Sequence, residues 1–97
     1  MNNHNNTDFF PAVHPGAVLL DELQERGISQ VALAKHIEVL PKTINEICNK
    51  KRGISFDMAY KLSHALGGSV RFWVNLQTNW ELSNYDEKSY KRITVIA

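Results

Sequence analysis

Only one cysteine, Cys48, occurs among the 97 residues. No internal disulfide can staple the chain, which fits a reducing cytoplasm. No apolar run approaches the roughly 18 residues needed to span a bilayer, so no membrane partner is expected. The opening MNNHNNTDFF has neither a basic start nor an apolar stretch and does not read as a secretory signal. A strong charge of either sign is missing too: the net charge is +1, which by itself does not suggest nucleic acid. Catalytic signatures are equally absent. There is no Gly-rich phosphate loop, no nucleophile elbow and no metal-ligand spacing. His4, His14, His36 and His64 do not pair with Cys48 or with each other at a ligand period. Cys48 lies beside Ile47, near the core edge, which argues against a catalytic Cys–His pair. The expectation is a protein that is not an enzyme and carries neither metal nor cofactor.

What is present is ordinary for one small globular domain. Apolar residues make up 43% and charged residues 22% of the chain, enough for a single modest core. The charge is unevenly spread. Residues 30–52 carry Lys35, Lys42, Lys50, Lys51 and Arg52 against Glu38 and Glu46, whereas Asp8, Asp21, Glu22 and Glu25 face only Arg26 before them. A positive block of this kind is the footprint of phosphate contact, and equally of a solvated face.

The stretch 29–49, SQVALAKHIEVLPKTINEICN, organises the rest. Gaps of three and four put Leu33, Ala34 and Ile37 on one face of a helix over 29–37. Ile44 and Ile47 do the same for a helix over 41–49, with Val39 placed to plug the corner. Ala34 is small enough to let a crossing helix approach. This is the residue economy of a helix-turn-helix, whose second helix enters the major groove of DNA. With Ile44 and Ile47 turned inward, Lys42, Thr43, Asn45, Glu46 and Asn49 form the outward face. Asn reads adenine, Lys reaches guanine or phosphate, and Glu accepts from cytosine. Lys50, Lys51 and Arg52 follow, placed for backbone phosphates beside the groove.

The flanks predict three more helices. Pro15 opens one over 15–25, with Val18, Leu19 and Leu23 inward and Gly27 ending it; His14 has a structural place at its start. Ser29, Ser55 and Ser69 are expected N-caps. A helix over 56–66 buries Met58, Ala59, Leu62, Ala65 and Leu66, and stops at Gly67-Gly68. The last, over 69–82, carries more large apolar residues than one side needs. Phe72, Trp73, Leu76 and Trp80 are therefore divided between closing the core and forming a dimer or partner face, or are wholly core. Residues 1–13 read as a flexible tail, in which Phe9, Phe10 and Pro11 dock on the domain or on a partner. In 83–97, Ile93-Thr94-Val95-Ile96 fits a short strand or a disordered end.

The sequence also resembles a known family. Gln30, Ala34, Val39, Ile44 and Ile47 match the helix-turn-helix spacing of the phage-repressor (Xre/Cro-like) family. His14-Pro15-Gly16, Asn45-Glu46-Ile47, Lys51-Arg52-Gly53-Ile54, Ala65-Leu66-Gly67 and Phe72-Trp73-Val74-Asn75-Leu76-Gln77 look like the HigA antitoxins, known also as virulence-associated protein I. The likeness covers about residues 14–82. It implies an all-α, five-helix lambda-repressor-like domain. It further implies a homodimer that binds double-stranded operator DNA, represses its own operon and neutralises a HigB-like mRNA-cleaving toxin, acting in the cytoplasm and at the nucleoid. Gln30 stands where the family contacts a DNA phosphate, and Lys35, on the exposed side of the same helix, is a further phosphate candidate. Two positions depart from the pattern: Glu38 replaces the usual Gly of the turn, and Leu40 stands where Ser or Thr would cap the next helix. A stand-alone repressor without a toxin, and an interaction module that has lost DNA binding, are the alternative readings.

Overall fold

The computed structural model describes residues 12–96; the expectations for Phe9, Phe10 and Pro11 lie outside the described residues. Among the described residues five α-helices follow one another, α1 (Pro15–Arg26), α2 (Gln30–His36), α3 (Pro41–Cys48), α4 (Phe56–Leu66) and α5 (Val70–Ser83), and then a 3-10 turn (Glu87–Tyr90).

Each helix starts where local chemistry can satisfy its free backbone N–H groups. The hydroxyls of Ser29, Ser55 and Ser69 accept from the backbone N–H groups of Ala32, Met58 and Phe72 at 3.0, 3.1 and 3.1 Å, as N-caps do. At α1 the cap is His14, whose Nδ1 accepts from the Gly16 N–H at 2.8 Å. Only α3 begins without a side-chain cap: Leu40 stands at its N-cap and Pro41 sets the first turn.

Three helix ends share one device. At α1, Ile28 N–H reaches the Leu23 carbonyl and Gly27 N–H reaches Gln24. At α2, Val39 reaches Ala34 and Glu38 reaches Lys35; at α3, Lys51 reaches Glu46 and Lys50 reaches Ile47. These paired bonds are Schellman caps, which need a left-handed residue at the end of the helix. Gly27 supplies it at φ 66°. Glu38 and Lys50 supply it at φ 62° and 63°, against a steric preference worth about 1 kcal/mol. Glu38 thus adopts the positive φ expected at the position where the resemblance puts glycine.

The core gathers Leu19 and Leu23 from α1, Leu33 and Ala34 from α2, Ile44 and Ile47 from α3, Leu62 from α4 and Trp73 from α5. Burying each Leu or Ile contributes about 1.5–3 kcal/mol, and truncating fully buried Leu62 to Ala should cost about 2–5 kcal/mol. Val39 packs partly against this cluster, so it does plug the corner between α2 and α3.

Two contacts lock α3 to the scaffold. Gly16 is buried against the end of α3, and a Cβ there would overlap the carbonyl oxygen of Ile47. The loop beyond α3 is tied to α5 by Gln77, whose Oε1 accepts from the Ile54 N–H at 2.8 Å while its Nε2 donates to Glu81 at 2.7 Å.

Of the two forms its sequence allows within one chain, the tail takes the one without a strand. Ile93, Thr94, Val95 and Ile96 form no strand, and all four are exposed. A β-branched run gains its hydrogen bonds only beside another strand, and the described residues contain none. The 3-10 turn before it is held locally, by Asp86 accepting from the Lys88 N–H at 3.1 Å.

Candidate nucleic-acid interface

With Ile44, Ile47 and Cys48 buried, the helical repeat turns Lys42, Asn45, Glu46 and Asn49 to the opposite side of α3, within an arc of about 100°. Thr43, half-buried, sits at its margin. Three amides form a line on this face. Asn45 Nδ2 donates to Gln30 Oε1 at 3.2 Å, and Asn49 Nδ2 donates to Asn45 Oδ1 at 3.1 Å. Gln30, at the start of α2, is thereby joined to the middle of α3. Each amide keeps spare donors and acceptors, so the line can hold Asn45 in one orientation and still present polar edges outward.

Glu46 is placed differently from the rest. Its carboxylate meets Arg52 at 2.9 Å and Lys42 at 4.0 Å. The acid therefore steadies two cations at the edge of the face. Exposed pairs of this kind contribute little to stability, commonly about 0.2–1 kcal/mol, but they fix where the charges stand. Lys50 and Lys51 lie just past the C-terminus of α3, where the helix dipole favours positive charge. Together with Arg52 they make an exposed basic rim beside the amide line.

Lys35 does not join this set. It follows Gln30 by five residues on α2, about 140° round the helix, and so lies on a different side. Of the four α5 residues expected at a partner face, Trp73 is 2% exposed and belongs to the core. Phe72, at 48%, is the exposed one; Leu76 and Trp80 are half-buried. Positions 72, 76 and 80 share one stripe of α5 by their spacing.

His14 holds the structural place at the start of α1 that the sequence suggests, whereas Gln77 is a positioning residue to which sequence reasoning assigned no role. Besides capping α1, His14 meets the Trp80 ring edge-on, with centroids 5.2 Å apart. Burial, and then the neighbouring Lys50 charge, hold its imidazole below its usual pKa, so the neutral form that accepts from Gly16 is favoured. An open cleft of about 590 Å3 runs from the basic rim to Trp80, Tyr85 and Tyr90. Glu81 and Asp86 also line it, so it is of mixed charge rather than a positive channel. Burial pushes the Cys48 thiol up, which makes it a poor nucleophile. Among the described residues no group of His, Cys, Asp and Glu could hold a metal, and no helix is long and apolar enough to cross a membrane.

Comparison with known proteins follows the same geometry. Residues 19–73 match the helix-turn-helix family. Virulence-associated protein I of Dichelobacter nodosus is 45% identical over 73 residues, which cover 74% of this chain and 68% of that protein. The Pseudomonas aeruginosa antitoxin HigA, solved with the higBA promoter, superposes with a TM-score of 0.82 at 37% identity, covering 88% of this chain and 97% of that one. Another P. aeruginosa protein, solved with 28 bp of its operator DNA, superposes at 0.77 with 40% identity, covering 86% and 92%.

Proposed function

From the premise that the chain belongs to the HigA-type helix-turn-helix family, a family of DNA-binding regulators and antitoxins rather than enzymes, we propose that it is the antitoxin of a type II toxin–antitoxin pair. It binds operator DNA as a homodimer, represses its own operon, and neutralises a HigB-like ribonuclease toxin in the cytoplasm. The observation that carries the DNA-binding part is the amide line Gln30–Asn45–Asn49 on the exposed face of α3, bordered by Lys50, Lys51 and Arg52.

The mechanism assigns roles by chemistry. Asn45 and Asn49 read base edges, with Lys42, Thr43 and Glu46 flanking them. Gln30 reaches a phosphate from the start of α2 and also steadies Asn45. Lys50, Lys51 and Arg52 contact backbone phosphates, adding affinity and salt dependence without discrimination. Lys35 is the weakest of the phosphate candidates, since it faces away from Gln30. The stripe Phe72, Leu76 and Trp80 is the proposed dimer face. Two copies then set their α3 helices in successive major grooves roughly 34 Å apart, and the bound dimer excludes polymerase from the promoter.

Footprinting on the promoter of its own operon tests this reading. The expected result is two protected half-sites about one helical turn apart. Protection of a single site, or of none, would contradict the dimeric reading mode. Co-purification with the product of a neighbouring reading frame for a small basic ribonuclease tests the toxin part. A promoter bound specifically in an operon with no such frame would favour the stand-alone repressor instead.

A further inference from the structure

Leu40 occupies the N-cap of α3 and makes no capping hydrogen bond. It is 69% exposed. Both facts run against stability: a Ser or Thr there would satisfy an orphan N–H, and a large apolar side chain stands in water. The backbone explains the direction of the side chain. Val39 packs partly on the core, and Leu40 follows with φ −73° and ψ 140°, a polyproline-II-like step that turns its side chain well away from that of Val39. Leu40 therefore projects outward at the leading end of the reading helix, next to Pro41 and just before Lys42. The N-terminal residues of such a helix are the ones that reach base edges. Among base edges in the major groove, the one apolar group is the C5-methyl of thymine.

We propose that Leu40 is a specificity-determining residue that selects a thymine in each half-site by apolar contact with its 5-methyl group. The inference rests on the DNA-reading role of α3 and adds to it an apolar position that hydrogen-bonding logic would not assign. It also accounts for the missing cap: the position serves the operator and not the helix.

Deoxyuridine differs from thymidine by that methyl alone, which gives a direct test. Operator duplexes are made with each thymine replaced singly by deoxyuridine, and affinities are measured for the full-length protein and for Leu40→Ser and Leu40→Ala. Leu40→Ser restores a capping oxygen, so its melting temperature should equal or exceed that of the parent, and a folding defect cannot mimic the result. The parent should lose about fourfold in affinity at one thymine per half-site, the equivalent of one buried methyl. Both variants should bind that thymine and its deoxyuridine counterpart alike. If the parent discriminates operator from scrambled DNA yet ignores every such replacement, or the variants remain as sensitive as the parent, Leu40 has no such role. If the parent does not discriminate operator from scrambled DNA at all, the reading of α3 fails, and this inference with it.

Discussion

Gln30 and Asn45 stand fifteen residues apart in the chain, and the Asn45 side-chain amide donates to the Gln30 oxygen at 3.2 Å across the two helices of the helix-turn-helix. The bond couples a residue assigned to a phosphate with one assigned to a base. Asn45→Ala should cost roughly 1–3 kcal/mol on the operator and relax one base position. Gln30→Ala should weaken binding through both its own phosphate and the freed Asn45. The double variant should then lose less than the sum of the two, because residues in one network are not independent. Strict additivity in a double-mutant cycle would show that the bond does not position the reading residue.

The basic rim should behave uniformly across sequences. Lys51→Ala and Arg52→Ala are each expected to weaken operator and scrambled DNA alike and to lower the salt slope by about 1. Arg52 is paired with Glu46 at 2.9 Å, so Glu46→Gln should raise affinity for scrambled DNA by freeing that cation. An unchanged salt slope in the Lys51 and Arg52 variants would remove the phosphate role from them.

The turn between α2 and α3 predicts a stability gain. Glu38 holds φ 62° and faces solvent, so Glu38→Gly should relieve the left-handed conformation without disturbing packing. A stabilisation of about 0.5–1 kcal/mol is expected, read as a rise of several degrees in Tm for a domain of this size. A fall in Tm would mean that Glu38 makes a compensating contact in solution.

His14 should make stability depend on mild acid. Its folded pKa lies below the ordinary 6.5 because burial, and then Lys50, disfavour the charged form. The folded state therefore binds fewer protons than the unfolded one in that window. The contribution is complete above pH 6.5 and is lost as pH falls through 6.5 toward the lower folded value. His14→Asn keeps a capping side chain but does not titrate, so its denaturation midpoint should vary less between pH 7 and pH 5 than that of the parent. Parallel pH profiles for the two proteins would discount the imidazole as the source.

The helices were legible because their signals are local. Ser29, Ser55 and Ser69 cap where their side chains announce it, and the three- and four-residue gaps of Leu33, Ile37, Ile44 and Ile47 mark the inward faces. What escaped sequence reasoning depends on contacts distant in the chain. Gly16 is needed because the Ile47 carbonyl lies against it, thirty-one residues on. Gln77 matters because it holds Ile54. Lys50 gave no sign of its left-handed backbone, since Lys has no preference for that conformation. Trp73 could not be divided from Phe72 by composition; only the helical phase, set by packing, puts one in the core and leaves the other exposed. The outward residues of α3 were legible as a set, whereas their partition into an amide line and an ion-paired edge required the folded geometry.

On the reading proposed above, α3 and its basic rim select a particular DNA sequence. Equilibrium binding of the purified protein to its own promoter duplex and to a scrambled duplex of equal length, at about 50 and 200 mM salt, tests it most directly. Binding should be tighter to the promoter at both concentrations, and affinity for both duplexes should fall steeply at the higher one. Equal affinity for the two duplexes, or binding indifferent to salt, would contradict that reading.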